Sequence, residues 1–253
     1  MASKDELFNA LMQLADDHLI LGHRVSEWSG HAPMLEEDLA LSNLALDVLG
    51  QARALYAYAA HVEGAGRDED QLAFVRLERD YRNCLLVERP NGNFAQTMLR
   101  QFYFAACMKP YWDHAAAHSC DAALQGIAGK AAKEMAYHVR HCGEWVIRLG
   151  DGTDESAARM RVAVDDLHRY TAELFTESPA FSACVDAGIL PARDSVKPVW
   201  DETVSNVFDG AGLEMPQIEF PVRGGRDGIH GEEMGHLLAE LQFMQRSYPG
   251  MQW

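Results

Sequence analysis

The sequence is poor in positive charge. Of 253 residues, 22 are Lys or Arg against 38 Asp or Glu, a formal net charge of −16. Such a field repels nucleic-acid backbones and acidic membranes, so neither is expected as a partner. A free anionic substrate would need a local basic patch, or a second subunit, to supply the missing charge. Cysteine is scarce and scattered: Cys84, Cys107, Cys120, Cys142 and Cys184 form no Cys-x-x-Cys pair. An odd, unclustered set excludes a disulfide framework and reads as reduced thiols, small apolar core residues of a cytoplasmic protein. No apolar run reaches the ~18 residues that a membrane span needs. The opening residues, with Lys4, Asp5 and Glu6, lack the form of a signal peptide. There is no β-alternation of any length, no Gly-x-Gly-x-x-Gly or P-loop, and no Gly-x-Ser-x-Gly elbow, which removes the common nucleotide and hydrolase sites.

What remains is helix. Apolar residues recur at helical spacing over about 4–28 (Leu7, Leu11, Leu14, Leu21, Val25) and about 34–62 (Leu39, Leu44, Leu46, Leu49, Leu55). The turns Gly30-His-Ala-Pro33 and Gly64-Ala-Gly66 end these two segments. A short helix over about 70–81 and a turn-rich linker, 87–93, precede two more long helices, about 94–118 and 121–149. Pro110 predicts a kink or break in the first of these. Asp154 is a plausible cap for a fifth helix running to about Phe175. Six of the nine prolines lie between Pro179 and Pro249. There the pattern predicts a helix over 195–208, an extended arm over 216–226 and a last helix over 231–248. The fold class is all-α: four helices of roughly 25 residues in two pairs, with a tail that wraps the bundle or a partner. One domain is expected over 1–253, with 1–176 as core bundle and 177–253 as C-terminal extension.

Four long helices in two pairs suggest a dinuclear metal site, which takes a Glu from each of two helices and a Glu-x-x-His from each of the other two. Residues at i and i+3 project from one face onto one metal pair. The lone carboxylate falls about thirty residues before its paired motif in an antiparallel hairpin. On the second helix the candidate is Asp47-Val-Leu-Gly50, preceded by Asp17 with Asp16 beside it. On the fourth it is Glu134-Met-Ala-Tyr137, within Lys133-Glu-Met-Ala-Tyr-His-Val-Arg-His141, preceded by Tyr103-Phe-Ala-Ala106 with no carboxylate. Asp17, Asp47 and Glu134 survive as acids. Gly50 and Tyr137 stand where imidazole is required, so the site is degenerate and no metal is expected there. His138 and His141 share a helix face with Glu134 within about 60°, but His138 at i+4 swings away from the position that an i+3 ligand reaches. Asp47 and Glu134 are expected to hydrogen-bond to Tyr137, a histidine or an arginine instead.

Two other strings carry the right residue types. Asp165-Asp-Leu-His168 lies outside the paired hairpins and reads as an exposed helix face. The true Glu-x-x-His, Glu233-Met-Gly-His236, extends back to His230 and Asp227 at steps of three. Glycines at 225, 228, 231 and 235 interrupt it, so it reads as a mobile loop with helix-start carboxylates, with a metal site as the alternative. Arg223-Gly-Gly-Arg226 reads as a solvated basic loop.

Ser26-Glu-Trp-Ser-Gly-His-Ala-Pro33, with Glu37-Asp-Leu-Ala-Leu-Ser-Asn-Leu-Ala-Leu-Asp-Val-Leu-Gly-Gln-Ala-Arg53, resembles the structural C subunits of ring 1,2-phenylacetyl-CoA epoxidases, a ferritin-like family. So do Leu86-Val-Glu-Arg-Pro-Asn-Gly-Asn-Phe-Ala95, Leu149-Gly-Asp-Gly-Thr-Asp154 and the ending Pro249-Gly-Met-Gln-Trp253. The resemblance implies a ferritin-like bundle in a multicomponent mono-oxygenase of aerobic phenylacetate catabolism. That system uses O₂ and NADPH, with electrons delivered by a flavin and iron–sulfur reductase, to epoxidise the aromatic ring. It implies that the di-iron centre belongs to a homologous catalytic A subunit. It implies further that this chain pairs with that subunit and holds no cofactor or catalytic residue itself. Two other readings stand beside it: an independent metal-dependent oxidase or hydroxylase using Asp227–His236 or Glu134, His138 and His141, and a bundle that associates only with itself.

Overall fold

A computed structural model describes residues 2–251, and the final Gln252 and Trp253 of the ending motif lie outside them. Among the described residues all regular structure is helical. Helix α1 (Lys4–Ser26) opens with a capping box: Glu6 N donates to Ser3 Oγ while the Glu6 carboxylate accepts from Ser3 N. Helix α2 (Leu35–Glu63) stops at Gly64, whose φ of 68° is left-handed and favours glycine. The two form an antiparallel hairpin, with Gly22 packed so tightly on Leu49 that an added Cβ would fall 2.8 Å from its Cγ. Past α3 (Glu69–Phe74) and the four-residue α4 (Leu85–Glu88), α5 (Phe94–His118) and α6 (Ala122–Gly150) make the second hairpin. Together the four long helices form a ferritin-like bundle, as expected.

Pro110 does not break α5, which runs uninterrupted to His118. Met108, Tyr111 and Trp112, all buried, flank the proline and hold the helix by tertiary packing that outweighs one lost backbone bond. Helix α7 (Asp154–Leu167) is capped by Thr153 rather than Asp154: Ser156 N donates to Thr153 Oγ1 at 3.2 Å, and Asp154 falls in the first turn. The chain then tightens into a 3₁₀ stretch, His168–Phe175. Helix α8 (Pro179–Asp186) has no counterpart in the sequence reading, because its eight residues bury only Phe181 and Cys184 and give little period to detect. Helix α9 (Lys197–Ala211) starts two residues past the predicted start and ends three beyond the predicted end. Irregular chain over 212–224 matches the expected arm, and the last predicted helix is two, α10 (Glu232–Leu241) and α11 (Phe243–Ser247), divided at Gln242.

The tail is locked onto α1 by buried charge. Asp17, fully buried, takes a two-pronged contact from Arg226, both N–O distances 2.8 Å, and a backbone bond from Cys84 N at 2.7 Å. Arg193 from the tail lies 3.6 Å away. Burial alone would push the Asp17 carboxyl up, but the Arg226 and Arg193 guanidiniums hold it below the usual range. Asp16 beside it pairs with Arg76 and accepts from Arg82 N at 2.7 Å. Glu173 ties the stretch around Gly224 down further, accepting from Gly224 N and Leu85 N at 2.8 Å each. At Gly225 an added Cβ would lie 2.1 Å from Asn83 O, so only glycine allows this close approach. The expected solvated basic loop is therefore a buried clamp: Arg223 is exposed, but Arg226 is not.

Removing one member of a buried ion pair strands the other charge. Arg226→Met should lower unfolding stability by about 3–5 kcal/mol in urea titration, and a loss under about 1 kcal/mol would contradict the clamp. Because the folded Asp17 value is depressed, its contribution is full above pH ~3.8 and disappears as pH falls through the folded value.

Candidate functional site

A polar layer runs along the seam where the two hairpins meet, from the buried Gln51, Gln101 and His138 out to the partly exposed Asp47 and Glu134. Asp47 and Gln51 come from α2, four residues apart. Glu134 and His138 come from α6 at the same spacing, and Gln101 comes from α5. Spacing of i, i+4 sets each pair on one helix face. His138 is completely buried. Its Nδ1 accepts from Gln101 Nε2 at 2.9 Å, which leaves the proton on Nε2, 3.3 Å from Asp47 Oδ2. Gln51 Nε2 donates to Glu134 Oε2 at 2.8 Å, and Lys130 Nζ lies 3.3 Å from the other Glu134 oxygen. One turn along, His141 Nε2 meets Glu37 Oε2 at 3.0 Å.

On α6 the structure shifts the expected register by one position. Tyr137 is not turned into the bundle. It lies outward, stacked on His141 with ring centroids 5.6 Å apart and with the Arg140 guanidinium over its ring. His138, expected to swing away, is the inward residue. On α1, Asp17 shares no partner with Asp47, since it is claimed by Arg226 and Cys84. Gly50 sits half-buried, and an added Cβ would meet only Lys130 Nζ, at 3.9 Å. Asp47 does pair with a histidine. Glu134 pairs with a glutamine and a lysine rather than with Tyr137, a histidine or an arginine. Gln51 and Gln101 are members that the sequence pattern did not reveal. The shared i, i+4 spacing of Asp47-x-x-x-Gln51 and Glu134-x-x-x-His138 is the signal that finds Gln51, whereas nothing in the sequence marks Gln101.

The layer does not fit a dinuclear iron centre. Both nitrogens of His138 are engaged, and the Gln51 amide presents an N–H to Glu134 where a metal would need a lone pair. The two carboxylates already face a lysine and an imidazole, and the remaining members are neutral amides. Among the described residues no group of three or more His, Cys, Asp and Glu side chains is arranged to hold a metal ion.

The second string is pulled apart. His230 turns to Glu88, with Nδ1 2.8 Å from Oε2, and its Nε2 reaches Tyr81 O at 3.1 Å. Burial works against the charged His230 ring, but the hydrogen bond and charge of Glu88 raise its pKa overall. His236 and Asp227 are exposed and Glu233 is half-buried. The stretch is anchored rather than mobile, since Gly231 N donates to Glu88 Oε1 at 2.7 Å. In Asp165-Asp-Leu-His168 the two aspartates are exposed, as expected. His168 is not: its Nδ1 accepts from the Tyr103 hydroxyl at 3.0 Å. Cys84, Cys107, Cys142 and Cys184 are buried free thiols and Cys120 is exposed.

Comparison with known proteins places this bundle. A family model described as phenylacetic acid catabolic protein matches residues 1–253. The chain belongs to that family. It is also similar to a protein of Escherichia coli (strain K12) named as the C subunit of 1,2-phenylacetyl-CoA epoxidase. The two are 44% identical over 242 residues, covering 96% of this chain and 97% of the relative. No helix among the described residues is long and apolar enough to cross a membrane.

Two buried imidazoles couple this interior to pH. Burial pushes His18 down to about 4, against the hydrogen bond between its Nδ1 and Leu14 O. Burial, aided by Lys197, pushes His168 down to about 4 as well. Between the unfolded value near ~6.5 and the folded one, these two groups bind more protons in the unfolded chain. Together they lower stability as pH drops through that window, opposed only in part by the single raised imidazole of His230. Denaturant unfolding at pH 7 and pH 5 should show the loss, and His18→Gln should reduce it. Equal stability at the two pH values would contradict the assignment.

Proposed function

We propose that this chain is a non-catalytic structural subunit of a multicomponent phenylacetyl-CoA epoxidase, and that it pairs with and stabilises the homologous catalytic A subunit. The reading is supported by likeness over nearly the whole chain to a protein named as the C subunit of that enzyme. The observation that carries it is the interior layer, in which His138 is held by Asp47 and Gln101 and Glu134 by Gln51 and Lys130. Groups paired in this way stiffen the seam and occupy both nitrogens of His138, although the Gln51 and Gln101 carbonyl oxygens stay buried without a protein partner. The di-iron centre belongs, in this reading, to the partner A subunit, and NADPH, flavin and iron–sulfur chemistry to the reductase. This chain's own work is mechanical. A catalytic bundle that keeps an open substrate pocket sacrifices packing, and a fully packed neighbour holds its helices in place from outside.

The alternative is an independent metal-dependent oxidase or hydroxylase. Elemental analysis separates the two. The purified chain should retain far less than one iron per polypeptide and epoxidise nothing alone, while co-expression with the catalytic subunit should yield a heteromer of defined mass. Stoichiometric iron and turnover by the lone chain would overturn the proposal.

A further inference from the structure

We infer that the outer face shared by α2 and α6 is the surface on which the partner bundle docks, and that the partner presents there an acidic helix face with an apolar ridge. The inference rests on the subunit role proposed above. Helix α2 shows solvent a ridge of leucines: Leu35, Leu39 and Leu46 are 71%, 58% and 67% exposed. Positions 35, 39 and 46 fall on one side of a helix, a leucine strip interrupted only by Asn43, and large apolar residues grouped in this way mark an interaction surface. Beside it on α6, Tyr137 is 37% exposed. Gly126 and Gly129 have no neighbour within 4 Å of an added Cβ, so no side chain stands between the α6 backbone and an approaching helix there.

Charge decides the occupant. The outward turns of α6 carry Lys130, Lys133 and Arg140, all exposed, with no exposed acid between them. Glu134 in the same stretch is half-buried and occupied by Lys130 and Gln51. This is a basic strip on a chain whose net charge is −16, and it attracts an acidic surface that the rest of the molecule repels. A second copy of this chain does not supply that surface on the same face. From Leu35 to Ala57 the exposed residues of α2 are Leu35, Glu36, Leu39, Asn43, Leu46, Arg53 and Ala57, so a two-fold pairing would set the three cations of the strip against leucines, a single acid and another cation. Asp47 on this helix is already bonded to His138. A partner seated here would also shield the Asp47–His138 and Glu134–Lys130 contacts from water, where screening weakens them.

The test uses the full-length chain and the purified catalytic subunit from the same source, with affinity read by calorimetry at low and high salt. Leu39→Glu/Leu46→Glu should weaken binding at least about 100-fold, a tenfold loss or more for each leucine removed from an apolar contact. Its unfolding midpoint should stay at the wild-type value, because both side chains are exposed. Lys133→Glu/Arg140→Glu should weaken binding about tenfold and flatten its salt dependence. Phe243→Glu/Met244→Glu, on the rival apolar patch of the tail, should bind as wild type. Wild-type affinity in the leucine variant, or lost affinity in the tail variant, would overturn the surface while leaving the subunit role intact. So would a wild-type homodimer that the leucine variant dissolves without weakening the heteromer. A wild-type chain that fails to bind the catalytic subunit at all would overturn the subunit role itself.

Discussion

A carboxylate sealed inside a protein must be met by a cation or by donors, and in this chain that demand shapes both the bundle and its tail. Asp16 and Asp17, adjacent on α1, are both fully buried. Adjacent residues on a helix point about 100° apart, so the two acids recruit different partners. Asp16 gathers Tyr56 from α2 and Arg76 from the chain just past α3. Asp17 reaches past the hairpins to Arg226 and Arg193, far along the sequence. The tail is held to the four-helix core by this pairing, reinforced by Glu173 and Glu88, together with an apolar face of its own that buries Phe181, Trp200, Val204 and Phe208.

A weaker form of the same demand governs the layer between the hairpins, where both carboxylates are only partly buried. There Asp47 and Glu134 are answered by His138, Gln51 and Lys130, with Gln101 closing the far side of the imidazole. A site answered by protein groups is rigid but gives up the open coordination that redox chemistry needs. On the proposed subunit role, rigidity of this sort is what the chain would lend to its catalytic neighbour. The exposed leucines of α2 and the basic strip of α6 are carried by the same two helices that supply Asp47, Gln51, Glu134 and His138.

The long helices were legible because their apolar periodicity extends over many turns. Residues 94–118 were placed to the residue, since Asn93 is a strong cap and Ser119 follows the last turn. Short elements were not: α8 offers two buried side chains, and Gln242 breaks the final helix with no proline or glycine to announce it. The polar layer was half legible. An i, i+3 template led to Tyr137 and to the pair Asp17 with Asp47, whereas the packing turned on i, i+4. The tail was misread for a different reason. Glycines around Arg226 look like flexibility in a sequence, but here they permit backbone to press against Asn83 and Arg79, which buries the arginine.

Anomalous diffraction from crystals of the isolated chain grown with excess Fe(II) would distinguish a protein-satisfied layer from a metal site. The account predicts no peak at the iron edge among Asp47, Glu134 and His138, with His138 still bonded to Gln101. A pair of ordered iron peaks there, with Gln51 and Lys130 displaced from Glu134, would contradict it.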